Sequence, residues 1–241
     1  MTDVALANTG AAVPIRPAGW RGIVADWSSD QRAFKNVSWG KAMMWIFLLS
    51  DTFIFSCFLL SYMTVRMSTR VPWPNPSKVF ALTIGGTTIP LILIAIMTFI
   101  LISSSGTMAM AVNFGYRHAR VKSAALMLVT AAFGATFVGM QGFEWTKLIM
   151  EGVRPWGNPW GAAQFGSSFF MITGFHGTHV TFGVIFLIIT SRKVLRGDFD
   201  REARGFFTSR KGRYEIVEIM GLYWHFVDLV WVFIFALFYL W

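Results

Sequence analysis

Five apolar stretches, each about as long as a membrane is thick, limit what this chain can fold into. A helix of roughly 20 apolar residues crosses a ~30 Å hydrocarbon core, whereas the strands of a membrane barrel would show an alternation that is absent here. The stretches lie at about 42–65, within 79–115, and at about 123–149, 167–190 and 216–241. We therefore predict an all-α membrane protein with five transmembrane helices. The second stretch is too long for one span and should protrude at one end.

The basic residues are distributed unevenly between the two sides of these spans. Of the 21 Lys and Arg residues, 16 lie in the N-terminal tail and in the second and fourth connections, and five lie on the other side. The positive-inside rule therefore predicts an N-terminus in the cytoplasm and a C-terminus outside. The net charge of +9 follows from this topology and does not indicate nucleic-acid binding. Tyr239 and Trp241 are interpreted as an aromatic belt at the outer interface.

The chain divides into a polar arm and a membrane domain. Residues 1–38 are rich in small and polar residues and predict a flexible cytoplasmic arm, whereas 39–241 form the five-helix domain. Three prolines within 71–76 predict an outer loop, and the Trp-, Pro- and Gly-rich segment 152–161 predicts an ordered one. Cys57 is the only cysteine, which excludes a disulfide framework within the chain. We expect no cleavable signal peptide.

Polar side chains inside four of the five spans are the candidate functional residues. A charged side chain at the bilayer centre costs about 2.5–3.5 kcal/mol on insertion scales, so it is found where it faces a helix bundle or serves a function. The candidates are Asp51, Gln141, Glu144, His176, His179, Glu218, His225 and Asp228.

The carboxyl groups of the first and third spans are both expected to have partners. Asp51 is expected to be protonated or paired, either as a proton-linked or partner-linked carboxyl or in a hydrogen bond between helices. Gln141 and Glu144 are three residues apart and share one helix face. Lys147, three residues further on, is the simplest partner for Glu144.

The histidines allow two kinds of site. His176 and His179 share one side of the fourth helix. On the fifth helix, Glu218 and His225 are seven residues apart and lie on nearly the same face, and Asp228 lies about 80° around the helix from Glu218. A network between histidines and carboxyls would orient the helices without a metal. The alternative is a bis-histidine haem site formed by His179 and His225. The carboxyls on the neighbouring helix favour the network.

Two sequence motifs, one in each of the last two predicted helices, indicate a family. Gly-Phe-His-Gly-Thr-His-Val at 174–180 and Tyr-Trp-His-Phe-Val-Asp-Leu-Val-Trp at 223–231 resemble subunit III of the haem–copper terminal oxidases. Glu218, the Gln-x-x-Glu at 141–144 and the Ser-Asp pair at 50–51 also match, and the resemblance covers about 38–241. Five helices, and Asp rather than Glu at position 51, look more like the ubiquinol-oxidase branch. The electron donor, cytochrome c or quinol, stays open.

The resemblance implies a non-catalytic subunit in a bacterial inner (cytoplasmic) membrane. Family members bind no haem or copper, which belong to partner subunits. They stabilise subunit I, sustain its proton uptake and bind structural phospholipids. Subunit I is the main partner implied, with subunit II and a small subunit IV as further ones. Asp51 corresponds to the family's carbodiimide-reactive carboxyl on the side of its lipid cleft, and Arg192 and Lys193 are candidate lipid-headgroup contacts.

The same residues allow three alternative interpretations. One is a relative associated with nitric-oxide reductases, and another is the haem b anchor described above. The third is a proton-coupled transporter that uses Asp51, Glu144 and Asp228 as a relay. The transporter is disfavoured because Pro90 is the only proline inside a predicted span, whereas such folds use interrupted helices.

Overall fold

Five long helices make up the computed structural model, which describes residues 39–84, 87–89, 91–199 and 215–241. All five are long and apolar enough to cross a membrane, which confirms the fold class that the sequence predicts. The arm predicted for 1–38 and Pro90 lie outside the described residues. The helices are α1 (Trp39–Ser68), α2 (Ile92–Tyr116), α3 (Arg120–Met150), α4 (Gln164–Arg196) and α5 (Glu215–Phe235), and α5 continues as a π-helix through Ala236–Leu240.

The long second apolar stretch is only partly helical. One helical turn, Pro76–Val79, leads into it and begins where the Asn75 side chain accepts a hydrogen bond from the Ser77 backbone at 3.0 Å. A short antiparallel hairpin then pairs Leu82–Ile84 with Thr87–Ile89. This hairpin was not predicted. It removes the excess length, so that α2 is an ordinary span of 25 residues and does not protrude as expected.

The last helix is central and the first is peripheral. Helices α2, α3 and α4 pack in sequence order, while α5 packs against α2 and α4 and also against α1. Half of the most apolar part of α5 is buried inside the bundle, against 17% of the corresponding part of α1. Since the α5 backbone packs against three helices and its side chains also reach α3, the polar residues that it carries are distributed over different helix–helix contacts.

Trp224 of α5 is the point where four helices meet. Its side chain is fully buried, and its Nε1 donates a hydrogen bond of 2.8 Å to Ser104 Oγ on α2. The indole ring packs over Gly134 of α3 and Gly183 of α4, where an added Cβ would lie 2.4 Å and 2.9 Å from ring atoms. Small residues let helices approach closely in membranes, and here both glycines make room for one ring.

The connection between α3 and α4 contains backbone hydrogen bonds of its own, as expected for the ordered loop that the sequence predicts. Arg154 and Gly157 exchange backbone hydrogen bonds of 2.7 and 3.1 Å. The chain reaches the proline-rich loop directly after this segment, where the Ala162 backbone N–H donates to the Pro72 carbonyl at 3.3 Å. Gly161 has a φ of +145°, and a Cβ there would lie 2.3 Å from the same carbonyl oxygen, so this contact requires glycine.

Candidate functional site

Asp51 of α1 and His179 of α4 form a buried pair. Asp51 is 5% exposed, and its Oδ2 lies 3.1 Å from His179 Nε2. His179 Nδ1 lies 2.9 Å from the Phe175 carbonyl oxygen, which can only accept, so Nδ1 carries a proton. If one further proton lies between Nε2 and the carboxyl, the pair is neutral overall, whether as imidazolium and carboxylate or as imidazole and acid.

Aromatic rings and one tyrosine hold this pair in place. The Phe55 ring, one helical turn after Asp51, lies edge-on to the His179 ring at 5.6 Å. Tyr223 of α5 donates to the His179 backbone carbonyl at 2.9 Å. The opposite face of α1 is exposed, with Phe53 72% accessible. Asp51 therefore faces the bundle, and its contact is of the helix-to-helix kind that the sequence left as one of two interpretations.

A second polar contact joins α3 to the end of α5. Gln141 Nε2 donates to Glu144 Oε2 at 2.9 Å, and Tyr239 Oη donates to the same oxygen at 3.2 Å. The prediction that Gln141 and Glu144 share a face is thus confirmed. The belt assignment of Tyr239 is wrong, because this residue is 2% exposed whereas Trp241 is 41% exposed. The π-helix shifts the register of the last turn and contains Tyr239.

Lys147 does not pair with Glu144. Its Nζ lies 3.5 Å from Glu151 Oε1 and donates to the Ala81 carbonyl oxygen. Lys147 thus forms its ion pair with Glu151, four residues later, instead of with Glu144, three residues earlier. The hydrogen-bond partners of Glu144 are Gln141 and Tyr239.

His176 is part of the aromatic core. Its side chain is 1% exposed, and its ring stacks on Trp231 at 5.4 Å and lies edge-on to Phe137 at 5.9 Å. Neither ring nitrogen has a hydrogen-bond partner among the described residues. His176 therefore does not join a carboxyl, contrary to the predicted network.

The polar residues of α5 contact two different helices. Glu218 Oε1 lies 2.5 Å from Lys41 Nζ of α1, while His225 Nδ1 lies 2.5 Å from Ser105 Oγ of α2. Asp228 is 7% exposed, and neither of its carboxyl oxygens has a hydrogen-bond partner among the described residues. The structure thus divides the predicted single network into separate contacts.

The geometry does not support the bis-histidine haem site. His179 uses both ring nitrogens, one on Asp51 and one on the Phe175 carbonyl, and His225 contacts α2. In the part of the chain that the structure describes, no group of three or more His, Cys, Asp or Glu side chains could hold a metal ion.

A groove of about 310 Å³ opens between α3 and α4. Its walls include Gln141, Trp145 and Phe182, and its floor has room because Gly142 and Gly177 leave open space where a Cβ would stand. Most of its lining is apolar, which suits a hydrocarbon chain. Arg192 and Lys193 are exposed near the end of α4, about ten residues or ~15 Å beyond the groove, so they do not contribute to it.

Some of the contact residues are not among the predicted candidates. Ser105, Gly134 and Gly183 carry no prediction, Tyr239 is predicted only as an interface residue, and Trp224 appears only within the 223–231 motif. Small residues inside apolar spans are the available signal for close helix contacts. The ring that fills each gap cannot be identified without the tertiary structure.

Replacing Tyr239 by phenylalanine tests the link between α3 and the end of α5. The substitution keeps the buried ring and removes one hydrogen bond to Glu144, so we expect a loss of about 0.6 kcal/mol, the average for such bonds in membrane proteins. Unfolding of the purified chain in mixed micelles would measure it. Tyr116→Phe on α2, where the side chain is exposed and its hydroxyl lies beside Glu218, is the comparison and should lose less, because water can replace that contact. A loss above about 2 kcal/mol would contradict a single-bond role.

Comparison with known proteins places this arrangement among oxidase subunits. A sequence model of the family described as cytochrome c oxidase subunit III matches residues 11–241. A protein named probable quinol oxidase subunit 3 from Staphylococcus aureus (strain USA300) is 30% identical over 201 residues, which is 83% of this chain and 88% of that protein. A protein of the same name from Staphylococcus saprophyticus is 30% identical over 213 residues, covering 88% and 92%.

Proposed function

The chain belongs to the cytochrome c oxidase subunit III family, and we propose on that basis that it is the non-catalytic third subunit of a bacterial haem–copper terminal oxidase. The observation that carries the proposal is the family match over residues 11–241. The positions of the two histidine motifs, 174–180 in α4 and 223–231 in α5, agree with it. Their polar residues serve mainly helix packing: His179 contacts α1, His225 contacts α2 and His176 lies in the aromatic core.

The proposed role is to support the oxygen-reducing subunit rather than to carry electrons. Subunit I is the main partner, with subunit II and a small subunit IV in the same complex, and the haem and copper belong to those partners. A rigid bundle can sustain proton uptake by subunit I by keeping the neighbouring surface in place. The buried pairs Asp51–His179 and Glu144–Tyr239 support this role, because each joins two parts of the bundle.

Quinol is the first candidate for the electron donor of the whole complex. The relatives that this chain matches carry the name quinol oxidase, and Asp51 with a five-helix bundle is consistent with that branch. The proposed membrane is the bacterial inner membrane, with the N-terminus of the chain in the cytoplasm, as the distribution of basic residues predicts.

Two lipid contacts are proposed, one at each side of the membrane. The groove between α3 and α4 would take an acyl chain of the outer leaflet, with Trp145 near its outer end. Arg192 and Lys193 would contact phosphate headgroups of the cytoplasmic leaflet, since both are exposed at the far end of α4.

Purification of the tagged chain from its own membranes in mild detergent tests this function. We expect a large haem-bearing subunit and a smaller second subunit to co-purify in equal amounts, together with a reduced-minus-oxidised haem spectrum and bound phospholipid. A second subunit without copper would support quinol, and one with copper would indicate cytochrome c. A chain that purifies alone and colourless would contradict the proposal, and a haem band on the lone chain would revive the haem b anchor.

A further inference from the structure

His225 exposes an imidazole near the middle of the membrane. It lies about three residues, or ~4.5 Å, from the midpoint of the apolar segment 215–240. Its contact Ser105 lies near the midpoint of α2 (Ile92–Tyr116). Unlike the other two intramembrane histidines, His225 is exposed on the outside of the bundle. A polar side chain at this depth is unfavourable where it faces hydrocarbon, so such side chains usually face protein or water.

The hydrogen bonds around this imidazole leave one ring nitrogen without a partner. Nδ1 contacts Ser105 Oγ at 2.5 Å. Nε2 can accept or donate a hydrogen bond, depending on which ring nitrogen carries the proton. No partner for Nε2 is found among the residues that the structure describes.

The surface around His225 has the shape of a helix-docking site. Gly106, next to Ser105, is exposed and has no atom within 4 Å of an added Cβ, so another helix could approach α2 closely there. Ile102 and Leu229, each about one helical turn from Ser105 or His225 on its own helix, are 57% and 55% exposed. The His225 surface, defined as Ile102, Ser105, Gly106, His225 and Leu229, thus combines a small-residue gap, apolar flanks and one unpartnered polar atom.

We propose that the His225 surface is where a transmembrane helix of another oxidase subunit docks and forms a hydrogen bond with His225 Nε2. The inference rests on the proposed function and adds the face and the chemistry of the contact. Lipid acyl chains have no hydrogen-bonding groups at the membrane centre, whereas a serine, threonine, tyrosine, asparagine or glutamine of a neighbouring helix can both donate and accept. The family's association with other oxidase subunits makes such a helix the occupant.

A photo-crosslinking amino acid tests the contact in the intact complex. Placed at Leu229, benzoyl-phenylalanine should crosslink the chain to another oxidase subunit. Placed at Ile185 of α4, which is 47% exposed and outside the His225 surface, it controls for random collisions. Crosslinks from position 229 to lipid alone, or to a second copy of this chain, would overturn the inference.

A steric block and a matched control test the same surface without a crosslinker. Gly106→Trp should lower co-purification of the partner at least tenfold, whereas Gly139→Trp on α3, equally open to a Cβ, should not. His225→Leu should also lower it and His225→Gln should restore part of it, while the unfolding free energy of the isolated His225→Leu chain falls only by about 0.6 kcal/mol, the average for one lost bond such as that to Ser105. Equal retention of the partner by Gly106→Trp and Gly139→Trp would refute the docking site.

The two levels of the proposal fail in different ways. If the unmodified chain co-purifies with no oxidase subunit, the proposed function fails and the docking inference fails with it. If the complex is recovered but position 229 does not crosslink to a partner subunit, the proposed function stands and only the His225 surface is wrong.

Discussion

Replacing Gly134 by valine is expected to remove most of the folded protein from the membrane. A Cβ at this position would lie 2.4 Å from Trp224 Cη2 and 2.7 Å from a Val184 methyl. Trp224 cannot move aside easily, because it is fully buried and held by Ser104. Overpacking usually costs about 1–3 kcal/mol, and we expect this substitution to reach or exceed the upper end of that range.

Gly139 on the same helix provides the matched control. It lies five residues after Gly134, and nothing stands within 4 Å of an added Cβ. Gly139→Val should therefore change the unfolding free energy by only about 0.5 kcal/mol. The measurement is the amount of monodisperse protein after detergent extraction, followed by its denaturation midpoint.

A rescue variant identifies the cause of the loss. Combining Gly134→Val with Trp224→Leu makes room for the valine and should recover part of the folded protein. If Gly134→Val accumulates as well as Gly139→Val, or if the double variant is worse than Gly134→Val alone, the ring–glycine packing does not decide the stability of this bundle.

Breaking the Asp51–His179 pair from one side should cost more than removing both partners. A buried pair that loses one member leaves the other without compensation, which typically destabilises by about 3–5 kcal/mol, whereas replacing both by apolar residues is often close to neutral. We therefore expect large losses for Asp51→Leu and for His179→Leu, and a smaller loss for the double variant. Unfolding of the isolated chain in mixed micelles gives the coupling energy.

The same cycle separates the two interpretations of Asp51. If the carboxyl serves mainly as a link between α1 and α4, the single variants lose stability as isolated chains. If it serves mainly a partner or a proton pathway, Asp51→Leu should leave the isolated chain stable and change the turnover of the assembled oxidase. Additive losses for the two single variants would show that the residues are not coupled.

The five helices could be predicted from the sequence because the thickness of the membrane sets the length of each apolar stretch that crosses it. A run of apolar residues longer than ~20 has few structural alternatives in hydrocarbon, so five spans could be counted from the chain alone. The exception is the stretch that begins near residue 79, where the hairpin Leu82–Ile84 with Thr87–Ile89 is too short and too apolar to be distinguished from the start of a helix.

Sharing of a helix face could also be predicted, because it depends only on spacing. Gln141 and Glu144 are three residues apart and do form a hydrogen bond. The partners on other helices could not be predicted in the same way. Lys41 for Glu218, Ser105 for His225 and Tyr239 for Glu144 depend on which helices are neighbours and on their rotation.

The sequence by itself determined the class of protein, the number of spans and which polar residues must be accommodated inside a membrane, since each of these follows from local hydrophobicity and helical periodicity. Only the tertiary structure decided how those residues pair, that Trp224 joins four helices, and that His176 packs among aromatic rings while His225 faces outward. Every apolar face is acceptable to lipid, so hydrophobicity does not determine which faces meet. Close packing at a few small residues and rings does.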